Sequence, residues 1–164
     1  MDRLWAPWRM AYVSAPKPPG ETDECFICRG LRETKDAENL IVARGERTVV
    51  VVNRFPYNNG HLLVAPQAHK AHLAELDDAE VFEIHRMLVR MQSLLQEKMK
   101  PEGFNVGLNL GKVAGAGLPG HLHYHIVPRW NGDTNFMPVL GDARVIVQSL
   151  DAVRELLADA FAAT

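Results

Sequence analysis

A chain of 164 residues with 47% hydrophobic and 23% charged residues has the size and composition of one globular domain with a buried core. Its formal net charge of -2 and pI near 6.4 give no basic footprint, which argues against nucleic acid as a partner and leaves small anions open. The N-terminus has no sustained apolar run and no later stretch reaches the length of a membrane span, so the expectation is a cytoplasmic protein with no membrane partner.

In chain order, residues 1–20 read as an aromatic arm and a spacer. Trp5, Trp8 and Tyr12 stand among Arg3 and Arg9, and Pro16-Lys17-Pro18-Pro19-Gly20 is extended because proline fixes φ and removes donors. The arm is expected to pack on the domain or against a second subunit. Cys25-Phe26-Ile27-Cys28 comes next; two cysteines make no disulfide framework, and their spacing suits a metal or thiol redox work. A redox pair of the thioredoxin type follows a strand and opens a helix, whereas this pair follows a proline-rich spacer, which favours the metal.

Five strands are predicted, over 40–43, 48–52, 61–65, 104–110 and 121–127, broken by Gly45, Asn58-Asn59-Gly60 and the glycine-rich stretch 111–120. Between the third and fourth, Asp77 and Glu80 form a capping-box pattern. Val81, Ile84, Leu88, Met91 and Leu95 then recur at helical spacing until Pro101, with His85 a surface or packing residue. A second helix starts near Ser149, with Leu150, Val153, Leu157 and Phe161 on one side. The fold class is α+β: a mainly antiparallel twisted sheet of about five strands, one long helix and a C-terminal helix.

The chemistry concentrates in His121-Leu122-His123-Tyr124-His125-Ile126-Val127-Pro128. Strict alternation on a strand puts three imidazoles on one face, and burying them without partners would cost about 1–3 kcal/mol each. A solvated histidine face is the bland alternative. Two mechanisms fit the row. Two histidines could ligate a catalytic metal that activates water, or a neutral histidine could attack phosphorus while a neighbour donates to the phosphate. The preceding loop, Asn109 to Gly120, suits the second, since its glycines let backbone N–H groups turn toward anionic oxygens. A cysteine pair needs two further ligands, which His69 and one member of the row could supply.

On His-x-His-x-His followed by apolar residues, the chain resembles the histidine triad (HIT) superfamily of nucleotidyl hydrolases and transferases. Asn53 at a strand end, Gly60-His61, Pro66-x-x-His69 and Asn109-x-Gly111 extend the resemblance, which covers roughly residues 25–138. It implies a single HIT domain over 1–164, with the arm and spacer at 1–20, the core at 25–138 and a C-terminal extension at 139–164. The Trp5-Ala6-Pro7-Trp8-Arg9 arm and the tail from Pro128 to Phe136 look most like the bacterial diadenosine tetraphosphate phosphorylase (ATP adenylyltransferase) branch.

The resemblance makes His123 the nucleophile that forms a covalent nucleotidyl-histidine and His125 the flanking phosphate ligand. It places Phe26 and Ile27 beside the base, Asn53 at the ribose, and His61, Asn109, Gly115 and Gly117 in the nucleotide-binding set. It gives Cys25, Cys28, His69 and His121 as ligands of one structural zinc per chain, with no catalytic metal at the nucleophile. Implied partners are an adenine nucleotide or dinucleoside polyphosphate, orthophosphate as acceptor, and a second copy in a homodimer. The Gly-Gln-Ser segment common before the triad is absent, leaving Lys112 and Arg129 as the charged candidates for leaving-group assistance. The competing readings are a hydrolase of nucleoside phosphoramidates or other nucleoside 5′-monophosphate derivatives, a nucleotide-binding regulatory protein without turnover, and a metal-dependent hydrolase ligated by His121 and His123.

Overall fold

Thr48 and the four valines after it cannot all face one wet side of a sheet, and they form a strand buried along its whole length. A computed structural model describes residues 24–133 and 146–163; the arm and spacer, and the segment 134–145 with Phe136, lie outside the described residues. The elements are α1 (Phe26–Arg32), β1 (Ile41–Arg44), β2 (Thr48–Val52), β3 (Leu62–Pro66), α2 (Asp78–Met99), β4 (Gly103–Leu108), β5 (Tyr124–Arg129) and α3 (Leu150–Ala162). The strands form one sheet in the order β1-β2-β3-β5-β4, every neighbouring pair antiparallel. This is the predicted α+β class. Among the described residues no helix is long and apolar enough to cross a membrane.

Helix α2 begins where the capping box places it, with Asp77 accepting from the Glu80 N–H and the Glu80 carboxylate accepting from the Asp77 N–H. It ends at Lys100, whose φ of 50° stops the helix before Pro101. Its core face is Ile84, Met87, Met91, Leu94 and Leu95; the predicted stripe is corrected at Val81, which is 51% exposed. Glu80 turns inward instead, because it closes the capping box and pairs with Lys70 Nζ at 2.6 Å. Helix α3 starts next to Ser149, as expected, with the Ser149 hydroxyl capping it by accepting from the Ala152 N–H, and lies along β1 and α2. Arg154 Nε donates to the Ile41 carbonyl at 2.9 Å, and the Arg90 guanidinium sits 3.5 Å from the centre of the Phe161 ring.

Two features differ from the sequence reading. The Cys25–Cys28 pair opens a short helix, α1, because Cys25 is its N-cap and takes the Cys28 N–H at 3.5 Å. The last strand begins at Tyr124, three residues later than predicted. Upstream of it the chain is drawn off the ladder: the Leu122 N–H donates to the Lys70 carbonyl at 2.6 Å, and the His121 and His123 rings are tied elsewhere. The register pairs His125 with Leu63 on one side and Gly107 on the other, which sets it in the middle of a three-strand stretch.

Candidate active site and metal centre

Each histidine of the row has a different set of partners, and these fix which ring nitrogen carries the proton. His123 is 6% exposed and its Nδ1–H donates to the His121 carbonyl at 2.8 Å, so Nε2 keeps its lone pair. Burial lowers the pKa of His123 below the usual imidazole value, and the ring is neutral near pH 7. A neutral, oriented imidazole with an unprotonated Nε2 is a nucleophile.

His125 is set by a relay that starts on the backbone. Gly60 has φ +73°, a left-handed conformation, and a Cβ there would come within 2.8 Å of Met99 Sδ; the turn it permits brings Tyr57 beside His61. The Tyr57 N–H donates to His61 Nδ1 at 2.9 Å, so the His61 proton sits on Nε2. That proton is donated to His125 Nδ1 at 2.9 Å, which leaves the His125 proton on Nε2. Burial, and then the neighbouring His123, pushes the pKa of His125 down to about 4. Asn109 Nδ2 lies 3.5 Å from His125 Nε2. Two N–H donors side by side have nothing to give each other, and an oxygen placed between them would accept from both. The arrangement puts a nucleophilic nitrogen on His123 next to a donor pair suited to a phosphate oxygen.

His121 turns away from this pocket. Its Nε2–H donates to the Pro66 carbonyl at 2.8 Å, so Nδ1 is the free donor atom, and it lies 3.2 Å from Cys25 Sγ and 3.5 Å from Cys28 Sγ. His69 Nδ1 lies 3.2 Å from Cys28 Sγ. The four ligand atoms fall within 4.8 Å of one another, in reach of one tetrahedral ion with bonds of about 2.0–2.3 Å. The backbone acceptor on His121 is the outer partner that a ligating histidine needs. Desolvation first, and then Cys25, pushes the Cys28 thiol up to about 11, and a bound cation would reverse that by taking the thiolate. The set fits a structural Cys2His2 zinc site with no open position.

The other predicted residues fall unevenly. Asn53 packs its amide over His61, with Nδ2 3.3 and 3.4 Å from the two ring nitrogens, while its Oδ1 accepts the Phe55 N–H. A Cβ on Gly115 would lie 3.9 Å from the Asn109 amide, so the glycine loop reaches the donor pair; Gly117 is exposed. Phe26 is 38% exposed, whereas Ile27, at 2%, belongs to the hydrophobic core. Arg129 is corrected: it is held by Asp133 (Nε to Oδ2, 2.6 Å) and Asn105 (Nη1 to Oδ1, 2.6 Å), four residues along β5 from His125. Its charge is already matched. Lys112 lies in the exposed turn Lys112–Ala114. Sequence reading missed Tyr57, whose ring lies 4.6 Å from that of His61 and 5.6 Å from that of His125. The signal was its place four residues before His61, where a turn folds the two together.

A buried neutral imidazole with a free Nε2, an adjacent donor pair and a separate Cys2His2 cluster, gathered around the start of β5, give the geometry a nucleophilic histidine needs. Comparison with known proteins places it. The HIT domain family model matches residues 34–132, and the chain belongs to the HIT, or histidine triad, family. It is 40% identical over 166 residues to the AP-4-A phosphorylase of Mycobacterium tuberculosis, covering 99% of this chain and 85% of that protein. Among solved structures, a zinc-bound histidine triad family protein from Mycobacterium smegmatis superposes with a TM-score of 0.62 at 26% identity, over 76% of this chain and 84% of that one. A hypothetical histidine triad nucleotide-binding protein from Sulfolobus tokodaii gives a TM-score of 0.67 at 20% identity, over 85% and 93% of the two chains, a likeness of fold.

Proposed function

We propose that the chain is a nucleotidyltransferase that cleaves diadenosine tetraphosphate by phosphorolysis to ATP and ADP. The observation that carries it is His123, buried and neutral, with Nδ1 spent on the His121 carbonyl and Nε2 free. His123 Nε2 attacks the α-phosphorus of one adenosine, the bond to the β-phosphate oxygen breaks, and ATP leaves. An oxygen of orthophosphate then attacks the same phosphorus and displaces Nε2, giving ADP. His125 Nε2–H and the Asn109 amide donate to the phosphate oxygens through both steps. The likeness to an AP-4-A phosphorylase at 40% identity over almost the whole chain supports the substrate and the acceptor.

In this reading Cys25, Cys28, His69 and His121 hold one zinc, which braces the chain around His121 and supplies no chemistry at phosphorus. The chain acts as a single domain in this reading, which is supported by the one core that the described sheet and helices share. Two copies pair as a homodimer, a reading supported by β4, the last strand of the sheet among the described residues, where Val106 is 51% exposed. A cytoplasmic setting suits the thiol pair, which needs reducing conditions to keep a metal.

Labelled orthophosphate tests the proposal. With diadenosine tetraphosphate the label should enter the β-position of ADP, at a rate that saturates with orthophosphate. His123→Ala should remain folded and lose turnover by several orders of magnitude. Turnover independent of orthophosphate, yielding AMP and ATP, makes the protein a hydrolase; His123→Ala active within about tenfold removes the nucleophile.

A further inference from the structure

We infer that Tyr57 is a positioning residue, whose ring shields the His61–His125 hydrogen bond and so holds His125 in the tautomer that donates from Nε2. This rests on the reading of His125 as a phosphate donor. Tyr57 reaches the pair in two ways. Its backbone N–H fixes the His61 proton on Nε2. Its ring is stacked on His125, at 5.6 Å and 21° between planes, and tilted against His61, at 4.6 Å and 42°. The ring stands between solvent and His61, since Tyr57 as a whole is 48% exposed while His61 is fully buried. The two neutral tautomers of an imidazole are close in energy, so the neighbouring hydrogen bond decides between them. Water in place of the His61 N–H could accept a hydrogen bond from Nδ1–H as readily as donate one to Nδ1, so the other tautomer, which turns a lone pair on the phosphate oxygen, would become populated. An apolar face lying on both imidazoles keeps that water out.

The test uses Tyr57→Phe, Tyr57→Leu and Tyr57→Ala in the full-length, zinc-loaded protein. Steady-state kinetics with diadenosine tetraphosphate are combined with the 15N shifts and two-bond couplings of His125 in substrate-free protein. Tyr57→Phe keeps the ring and should match the parent within about twofold, with one His125 tautomer. Tyr57→Leu and Tyr57→Ala should lose about tenfold in kcat with KM within about twofold, and His125 should show a mixture of tautomers. A single unchanged tautomer in the Leu and Ala variants overturns the inference, whatever their rates. So does a rise in KM at unchanged kcat, which would make Tyr57 a platform for substrate. Because the tautomer is read without substrate, a wrong substrate assignment and a wrong role for Tyr57 give different results.

Discussion

His125 should make the fold sensitive to acid in a definite window. Burial, with His123 beside it, lowers its pKa from 6.5 to about 4. As pH falls through 6.5 the unfolded chain takes up a proton that the folded chain refuses, so stability falls; below about 4 both states are protonated and the loss is complete. At roughly 1.4 kcal/mol per tenfold, the full gap would be about 3 kcal/mol. The ring is not wholly withdrawn from water, and screening reduces this to about 1–2 kcal/mol. His125→Asn removes the titration, and its Oδ1, close to the position of Nδ1, keeps an acceptor for the His61 Nε2–H. Urea unfolding of zinc-saturated protein between about pH 7.5 and 4.5 gives two stability curves, and their difference cancels the other titrating groups and the metal. The parent should lose about 1–2 kcal/mol more than the variant across that range. Parallel curves would refute a neutral, buried His125.

The metal set and the corrected arginine can be tested in the same preparation. Cys25→Ser should lower the zinc content and the melting temperature more than the rate of the folded fraction, because the Pro66 carbonyl still holds His121; metal analysis and thermal scans check it, and a metal-free parent of equal stability contradicts it. Arg129→Ala should leave phosphorolysis within about twofold, since Arg129 lies four residues along β5 from His125, and cost about 1–3 kcal/mol, because Asp133, whose side chain is 9% exposed, loses its cationic partner; kinetics and urea unfolding decide, and a large fall in kcat would return Arg129 to the leaving group.

The strand and helix pattern was legible because its signals are local. Four consecutive valines, the Asp77–Glu80 capping box and the Asn58-Asn59-Gly60 break each act within a few residues, and each stands in the structure near its predicted place. Helix α1 escaped because its N-cap is a cysteine, read as a ligand rather than a cap. The start of β5 was misplaced because alternation of histidines and apolar residues continues upstream, while the Leu122 N–H bonds to Lys70 instead of a neighbouring strand. Arg129 looked available because its matching carboxylate, Asp133, is a loop residue with no periodic signature. The His61–His125 contact joins residues 64 apart and depends on strand pairing, so no spacing in the chain announces it.

The alternation of the row predicts a common face, and the three rings nonetheless do three things. What separates them is the atom that takes or gives a proton at the back of each ring. A proline carbonyl takes the Nε2–H of His121 and leaves Nδ1 facing the thiol pair; the His121 carbonyl takes the Nδ1–H of His123 and leaves Nε2 unprotonated; His61 gives its proton to His125 Nδ1 and leaves an Nε2–H to donate. His121 therefore links the two clusters, its ring among the cysteines and its carbonyl bonded to the His123 ring. A metal at the cysteines would hold that carbonyl in place without touching phosphorus, which is why stability should depend on it more strongly than the chemical step.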